Sequence, residues 1–180
     1  LNTTWAKTPC QDRLLSSTIL FLKKTDQKKK TQNQHNMSKT ALFAGSFDPF
    51  TKGHQNIVDR ALQSVADNVI IAIGVNHEKK YMFSLEERLQ AIQELYKDNL
   101  HVRVESYEGL TTDFAKEKGA DFLLRGVRSI KDFEYERDIA DVNKRLTGIE
   151  TVLLFTDSQF SAISSSIVRE LYSYQKNIED

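Results

Sequence analysis

The chain has 180 residues, 39% hydrophobic and 28% charged with a formal net charge of zero, enough for one domain with a closed core. The charge is uneven: residues 1–36 carry seven basic and two acidic side chains, a surplus of +5, which leaves −5 on the rest. That acidic body lacks the basic surface with which a general nucleic-acid binder displaces counterions, and its lack of cysteine excludes a disulfide, a thiolate metal site and a cysteine nucleophile.

Residues 1–36 hold the single tryptophan and the single cysteine, Cys10, and none of the seven glycines, and they close on a Lys/Gln/Asn/Thr stretch. They are expected to be a disordered extension, or translated sequence upstream of a start at Met37. The apolar patch Leu14–Leu22 is too short to span a bilayer, so no membrane association is expected. A reducing, cytoplasmic setting follows from the cysteine usage.

From Met37 onward, short apolar runs alternate with helical spacing. Ala41–Ala44 reads as a buried strand that breaks at Gly45, turns through Asp48-Pro49 and restarts as a helix over 53–64 with Ile57, Val58, Ala61, Leu62 and Val65 inward. Asn68–Val75 is continuous and rich in β-branched residues, as in a central strand covered on both faces. A helix is predicted from Ser84, with Glu87 completing a capping box and Leu85, Leu89, Ile92 and Leu95 facing in. His101–Val104 makes a third strand, 112–118 a short helix closed by Gly119, and Phe122–Arg125 a fourth strand cut off by Gly126. A helix over 132–146 stops near Gly148, Thr151–Phe155 forms the fifth strand, and the last helix begins among Ser164, Ser165 and Ser166. Five strands each followed by a helix imply an α/β fold, a doubly wound parallel sheet, in a single domain over 37–180. Ligands of such sheets sit at the carboxyl ends of the strands, where strand order reverses.

The unusual polar residues fall at that end. Ser46 and His54 follow the first strand, Lys79 the second, Thr111 the third, Arg125, Arg128 and Glu136 the fourth, and Ser164–Ser166 the fifth. Each has a plainer reading: His54 as a solvent-facing first-turn residue, Lys79 and Lys80 as a solvated pair, Ser164–Ser166 as an ordinary helix cap, Asp48 as a brace for the turn before Pro49. Together they describe cationic groups gathered beside helix N-termini, a pocket for a polyphosphate. The sequence has no Gly-x-Ser-x-Gly elbow, no Gly-x-Gly-x-x-Gly fingerprint, no Walker loop and no His-Glu-x-x-His helix. Cations and dipoles without a covalent partner point to direct transfer between two bound substrates.

Four ordered blocks carry a family resemblance. They are Gly45-Ser46-Phe47-Asp48-Pro49 with Thr51-x-Gly53-His54; Lys79-Lys80-x-Met82-Phe83-x-Leu85-Glu86-Glu87-Arg88; Arg125-Gly126-Val127-Arg128 with Asp132-Phe133-Glu134-Tyr135-Glu136; and Phe160-Ser161-x-Ile163-Ser164-Ser165-Ser166. The first is similar to the signature of the (Thr/His)-x-Gly-His nucleotidyltransferases, and the set from Met37 to about Tyr174 resembles the phosphopantetheine adenylyltransferase family. The resemblance implies a Rossmann-like nucleotidyltransferase fold. It implies transfer of the adenylyl group of ATP to 4′-phosphopantetheine, giving dephospho-coenzyme A and pyrophosphate, with Mg²⁺ assisting and no protein metal site. His54, Lys79 and Ser46 would be catalytic; Ser46, Lys79, Thr111 and Arg125 would hold the acceptor. ATP would be held by Ser46, Phe47, His54, Gly126, Val127, Arg128, Glu136, Phe160, Ser161, Ala162, Ile163, Ser164, Ser165 and Ser166. A homohexamer and feedback binding of coenzyme A belong to the same expectation.

Three departures stand out: Ser46 replaces the Thr of many relatives, Phe160 a frequent Trp, and a C-terminal helix of some relatives is expected to be missing. Nicotinate-mononucleotide adenylyltransferases and glycerol-phosphate cytidylyltransferases share the loop, but usually carry His at the position of Thr51. A nucleotide sensor without turnover would not need Ser46, His54, Lys79 and Arg125 together.

Overall fold

A computed structural model describes residues 38–174; the expected extension at residues 1–36 lies outside them. Five strands, β1 (Thr40–Gly45), β2 (Asn68–Gly74), β3 (Val102–Tyr107), β4 (Phe122–Val127) and β5 (Glu150–Phe155), form one sheet in the order β3-β2-β1-β4-β5. Every pairing is parallel, with Gly45 beside Ile73, Phe43 beside Leu124 and Arg125 beside Leu153. The helices are α1 (Lys52–Ser64), α2 (Leu85–Leu95), α3 (Thr111–Glu117), α4 (Ile130–Thr147) and α5 (Ser165–Ser173), with a 3₁₀ turn at Ser158–Phe160.

The strands are covered on both faces because alternate side chains point opposite ways. Ala41, Phe43, Val69, Ile71, Ile73 and Leu124 pack against Ile57, Val58 and Ala61 of α1 and Ile92 of α2. Leu42, Ala44, Ile70, Ala72 and Leu123 pack against Phe114 and Ala115 of α3. Strand β2 is buried from Val69 to Ile73, as its β-branched run predicts. Among the described residues no helix is long and apolar enough to cross a membrane.

Three sequence expectations are corrected. Strand β4 does not end at Gly126 but runs on to Val127, with Gly126 paired to Leu154. The glycine is there for close approach: a Cβ would lie 3.0 Å from Cγ1 of Ile57, which is itself 1% exposed. Strand β3 begins one residue later than expected and extends to Tyr107, which stacks on Phe114 at 4.8 Å. On α2, Leu95 is 48% exposed, whereas Arg88 is 4% exposed and takes an inward position. Arg88 can be buried because carbonyl oxygens of Phe83, Ser84 and Ser46 accept its hydrogen bonds. The capping box at Ser84 and Glu87 is present with both arms.

Candidate active site

Strand order reverses between β1 and β4, and a cavity of about 260 Å³ opens at their carboxyl ends. Its lining comes from every block singled out in the sequence except the second: Gly45, Ser46 and Phe47, then Gly53 and His54, then Arg125, Gly126, Arg128 and Glu136, then Ile163–Ser166. Thr51, Thr156 and Asp132 also line it.

The loop leaving β1 is shaped by packing. The Phe47 ring lies among Phe43, Phe50 and His54, with centroids 5.2, 5.2 and 5.1 Å away, and it covers Gly45. A Cβ on Gly45 would meet Phe47 Cε1 and Cζ at 2.9 Å, so Gly45→Ala is expected to cost about 1–3 kcal/mol of stability, read from urea unfolding. Asp48, 1% exposed, does not brace its own turn. Its carboxylate accepts the backbone N–H groups of Met82 and Phe83, both at 3.0 Å, and so ties this loop to the segment entering α2.

His54 is placed by local backbone chemistry. Thr51 caps α1, its hydroxyl accepting the His54 N–H, while the Thr51 N–H donates to His54 Nδ1 at 3.0 Å. This is a reciprocal capping box with histidine where glutamate usually stands. A backbone N–H can only donate, so Nδ1 is the bare nitrogen and the ring proton resides on Nε2. Burial, then the charges of Arg128 and Arg125, push the His54 pKa down from 6.5 to about 4. His54 is therefore a neutral N–H donor near neutral pH, not one of the cations its sequence position suggested.

That shift has a consequence for stability. Between pH 6.5 and about 4 the unfolded chain holds a proton on His54 that the folded protein does not, so stability falls as pH drops through this window. The loss approaches about 3 kcal/mol at most. Urea midpoints of the wild type and His54→Gln should converge between pH 7 and 4.5; parallel profiles would contradict the assignment.

Arg125 is held in place by Glu136. Its Nε and Nη2 each donate to a Glu136 carboxylate oxygen at 2.7 Å, and Nη1 donates to the Ala44 carbonyl at 2.7 Å. Burial works against the guanidinium charge, but the hydrogen bonds and charge of Glu136 outweigh it and hold the pKa above its usual value. Each Glu136 oxygen thus accepts from Arg125, and Glu136 itself lines the cavity. Arg128 pairs with Asp132 at 3.2 Å.

The far wall is the N-terminus of α5. Ser164 caps it by accepting the Ile167 N–H, Ser165 Oγ donates to the Pro49 carbonyl at 2.9 Å, and Arg169 reaches from one turn later to the Asp48 carbonyl. Capping and anion binding use the same helix end, and the positive end of α5 faces the cavity. The loop after β5 is tied to α1 by Asn56, which exchanges two hydrogen bonds with Asp157, and by Arg60, which donates to Phe155 and Asp157.

Some expected residues are not brought to this lining. Lys79 is exposed in the loop after β2, its ammonium 5.6 Å from the Tyr81 ring. Thr111 opens α3 and shares a 2.6 Å hydrogen bond with Tyr107. Both lie on the same rim as the cavity, beyond the ends of β2 and β3, because the strand order continues that way from β1. Val127 is buried in the core, while Phe160 ends the 3₁₀ element and Ser161 and Ala162 form the turn after it. Sequence reasoning missed Thr51 as the partner of His54, although the Thr-x-x-His spacing is that of a capping box. It also missed Thr156, for which the sequence carries no signal.

The family described as Cytidylyltransferase-like matches residues 42–171. A phosphopantetheine adenylyltransferase of Bacteroides thetaiotaomicron is 52% identical over 138 residues, which are 77% of this chain and 91% of the relative. One from Flavobacterium psychrophilum is 56% identical over 131 residues, 73% of this chain and 86% of the relative. Among solved structures, a NadR protein in complex with NAD and AMP-PNP superposes with a TM-score of 0.53 at 16% identity, covering 76% of this chain and 43% of its own; that likeness is one of fold alone.

Proposed function

The chain belongs to the phosphopantetheine adenylyltransferase family of cytidylyltransferase-like proteins, and from that premise we propose that the cavity between β1 and β4 is where adenylyl transfer from ATP to 4′-phosphopantetheine takes place. The observation that carries the siting is the convergence of a neutral His54 N–H, the Arg125 and Arg128 guanidinium groups and the α5 N-terminus on one 260 Å³ space. These are fixed donors around a volume without a covalent nucleophile. They suit an in-line attack in which charge builds on phosphoryl oxygens while the protein supplies position and electrostatic stabilisation.

In this reading the ATP phosphates lie along the α5 N-terminus and Arg128, with the α-phosphorus facing His54 Nε2. The acceptor phosphate approaches beside Ser46, whose hydroxyl has no hydrogen bond within the described residues, and Arg125. The pantetheine arm runs toward the ends of β2 and β3, where Lys79 and Thr111 lie. Lys79 is on a loop and would reach the acceptor only by swinging from Tyr81. A neutral imidazole fits this position because it donates to developing charge without holding the pyrophosphate product as tightly as a cation would.

Among the described residues no group of three His, Cys, Asp or Glu side chains is arranged to hold a metal ion. The two carboxylates lining the cavity, Asp132 and Glu136, are each engaged by an arginine. Mg²⁺ is accordingly proposed to enter on the phosphate oxygens of the nucleotide, as a part of that substrate, in keeping with its habit of using few protein ligands. A cytoplasmic location and feedback binding of coenzyme A at the acceptor side complete the proposal.

The family resemblance also implies a homohexamer. Tyr135, Val142 and Leu146 of α4 are 64%, 54% and 66% exposed and recur at helical spacing on one side, a face suited to a second copy. Light scattering should then give the mass of six chains for the wild type and a smaller species for Val142→Asp.

The test of the activity is pyrophosphate release from Mg-ATP with 4′-phosphopantetheine, nicotinate mononucleotide, or glycerol phosphate with CTP. The expected result is turnover with the first acceptor at least about tenfold above the others; a preference for another pair would overturn the acceptor assignment.

A further inference from the structure

Arg88 lies outside the cavity yet is bonded to the loop that forms it. It is 4% exposed, and no carboxylate pairs with it among the described residues. Its Nε donates to the carbonyls of Phe83 at 3.1 Å and Ser84 at 3.2 Å, and its Nη1 donates to the Ser46 carbonyl at 2.6 Å. The guanidinium also sits 4.2 Å from the Tyr81 ring centre. A buried cation is costly, and here its hydrogen bonds are spent on backbone carbonyls, the last of which belongs to the loop that lines the cavity.

The residue after that carbonyl is unusual. Phe47 has φ of 45°, a left-handed conformation that costs a non-glycine residue roughly 1–2 kcal/mol. Its backbone N–H has no acceptor among the described residues, although Phe47 itself is 3% exposed and lines the cavity. The Ser46–Phe47 peptide is trans, so its C=O and N–H point in opposite directions. Holding the carbonyl toward α2 turns the N–H away from α2, and Phe47 shares the lining of the cavity with His54 and Ser164–Ser166.

We propose that Arg88 is a positioning residue for adenylyl transfer: by holding the Ser46 carbonyl it aims the Phe47 N–H into the cavity as a donor to a phosphoryl oxygen. Asp48 works in the same direction from the other side of Phe47, since its carboxylate fixes the Met82–Phe83 backbone next to Arg88's other acceptors. The loop is thereby held in its strained form before nucleotide arrives. This inference rests on the adenylyl-transfer reading above.

Two measurements test it. In the wild-type protein the amide proton of Phe47 should move downfield when the non-cleavable α,β-methylene analogue of ATP is added with Mg²⁺. Arg88→Met should lower kcat by ~100-fold with the KM for 4′-phosphopantetheine within about twofold, and Arg88→Lys should recover about tenfold of that loss, since an ammonium can still donate to the carbonyl. A purely structural Arg88 would instead lower the unfolding temperature without separating kcat from KM. An unmoved Phe47 amide, a Met variant within about threefold of wild-type kcat, or a Lys variant no better than Met would each overturn the proposal. If Arg88→Met fails to fold, Arg88→Lys should still stand about tenfold below wild-type kcat, a value within about threefold overturning the proposal, and the wild-type amide decides beside it. If the wild type turns over none of the acceptors, the transfer reading fails by itself, while the amide response separately reports whether this N–H meets phosphate.

Discussion

Replacing His54 by alanine is expected to lower kcat by ~10²–10³-fold while KM for 4′-phosphopantetheine changes little. The split follows from the tautomer. Thr51 donates to Nδ1, so Nε2 is the proton-bearing nitrogen, and His54 lines the cavity proposed for the transfer. A donor that gains strength only as charge accumulates acts on the transition state more than on bound substrate. The protein should still fold, because on the structural side the substitution removes one arm of a helix cap, worth about 1 kcal/mol, and part of an aromatic cluster. With a pKa of about 4, His54 also contributes no limb to the rate profile between pH 5.5 and 8. Steady-state kinetics across that range check both points. A fall in kcat below pH 6.5 that vanishes in His54→Gln would mean that the imidazole titrates as an ordinary histidine.

Removal of Glu136 is expected to damage both stability and acceptor binding, in a way that its position on α4 alone would not suggest. The Glu136 side chain is 10% exposed and that of Arg125 30%, and the two share a bidentate pair. Glu136→Ala leaves a largely buried guanidinium with only the Ala44 carbonyl, which should cost about 3 kcal/mol, the low end for a broken buried pair because Arg125 keeps some solvent. Freed from its clamp, Arg125 no longer points one way, and KM for 4′-phosphopantetheine should rise about tenfold or more. Glu136→Gln, which keeps the shape and one acceptor oxygen, should fall between. The double variant Arg125→Met/Glu136→Leu should regain much of the stability, with no buried charge left unpaired, yet stay poor in acceptor binding. Urea unfolding and acceptor KM, measured on the same four proteins, separate the two effects. A double variant that loses as much stability as Glu136→Ala, or more, would contradict the unpaired-charge explanation.

Much of the scaffold was legible because its signals are local. Short β-branched runs such as Val69–Ile73 read as strands covered on both faces, and Ser84 with Glu87 declares a helix start three residues apart. The rim of the site followed from topology: once five parallel strands are accepted, ligands belong at the carboxyl ends. The misreadings came from long-range packing. Gly126 looks like a strand breaker in sequence, but it pairs with Leu154 as the strand continues, and Ile57 packed against it leaves little room for a Cβ. Leu95 fits the inward stripe of α2 by spacing, but Arg88 takes an inward place, satisfied by carbonyls from loops that no periodicity predicts.

The chemistry of the site was half legible for the same reason. That His54, Arg125 and Ser165 would meet could be read from their positions at element ends. That His54 would be neutral could not, because its pKa depends on burial and on two arginines over 70 residues away. Glu136 was read as a nucleotide contact and does line the cavity; its bidentate pair with Arg125 on a neighbouring strand carries no local sequence signal. Lys79 lies on an exposed loop, where sequence gives position along the chain and no direction in space.

Transfer at this cavity requires the triphosphate to lie against His54. A crystal structure of the protein with Mg²⁺ and the α,β-methylene analogue of ATP tests this directly. The expected result places an α-phosphate oxygen within hydrogen-bond distance of His54 Nε2, with the β- and γ-phosphates against the N-terminus of α5 and Arg128. A triphosphate bound away from the β1–β4 junction, with His54 Nε2 turned from it, would contradict the account.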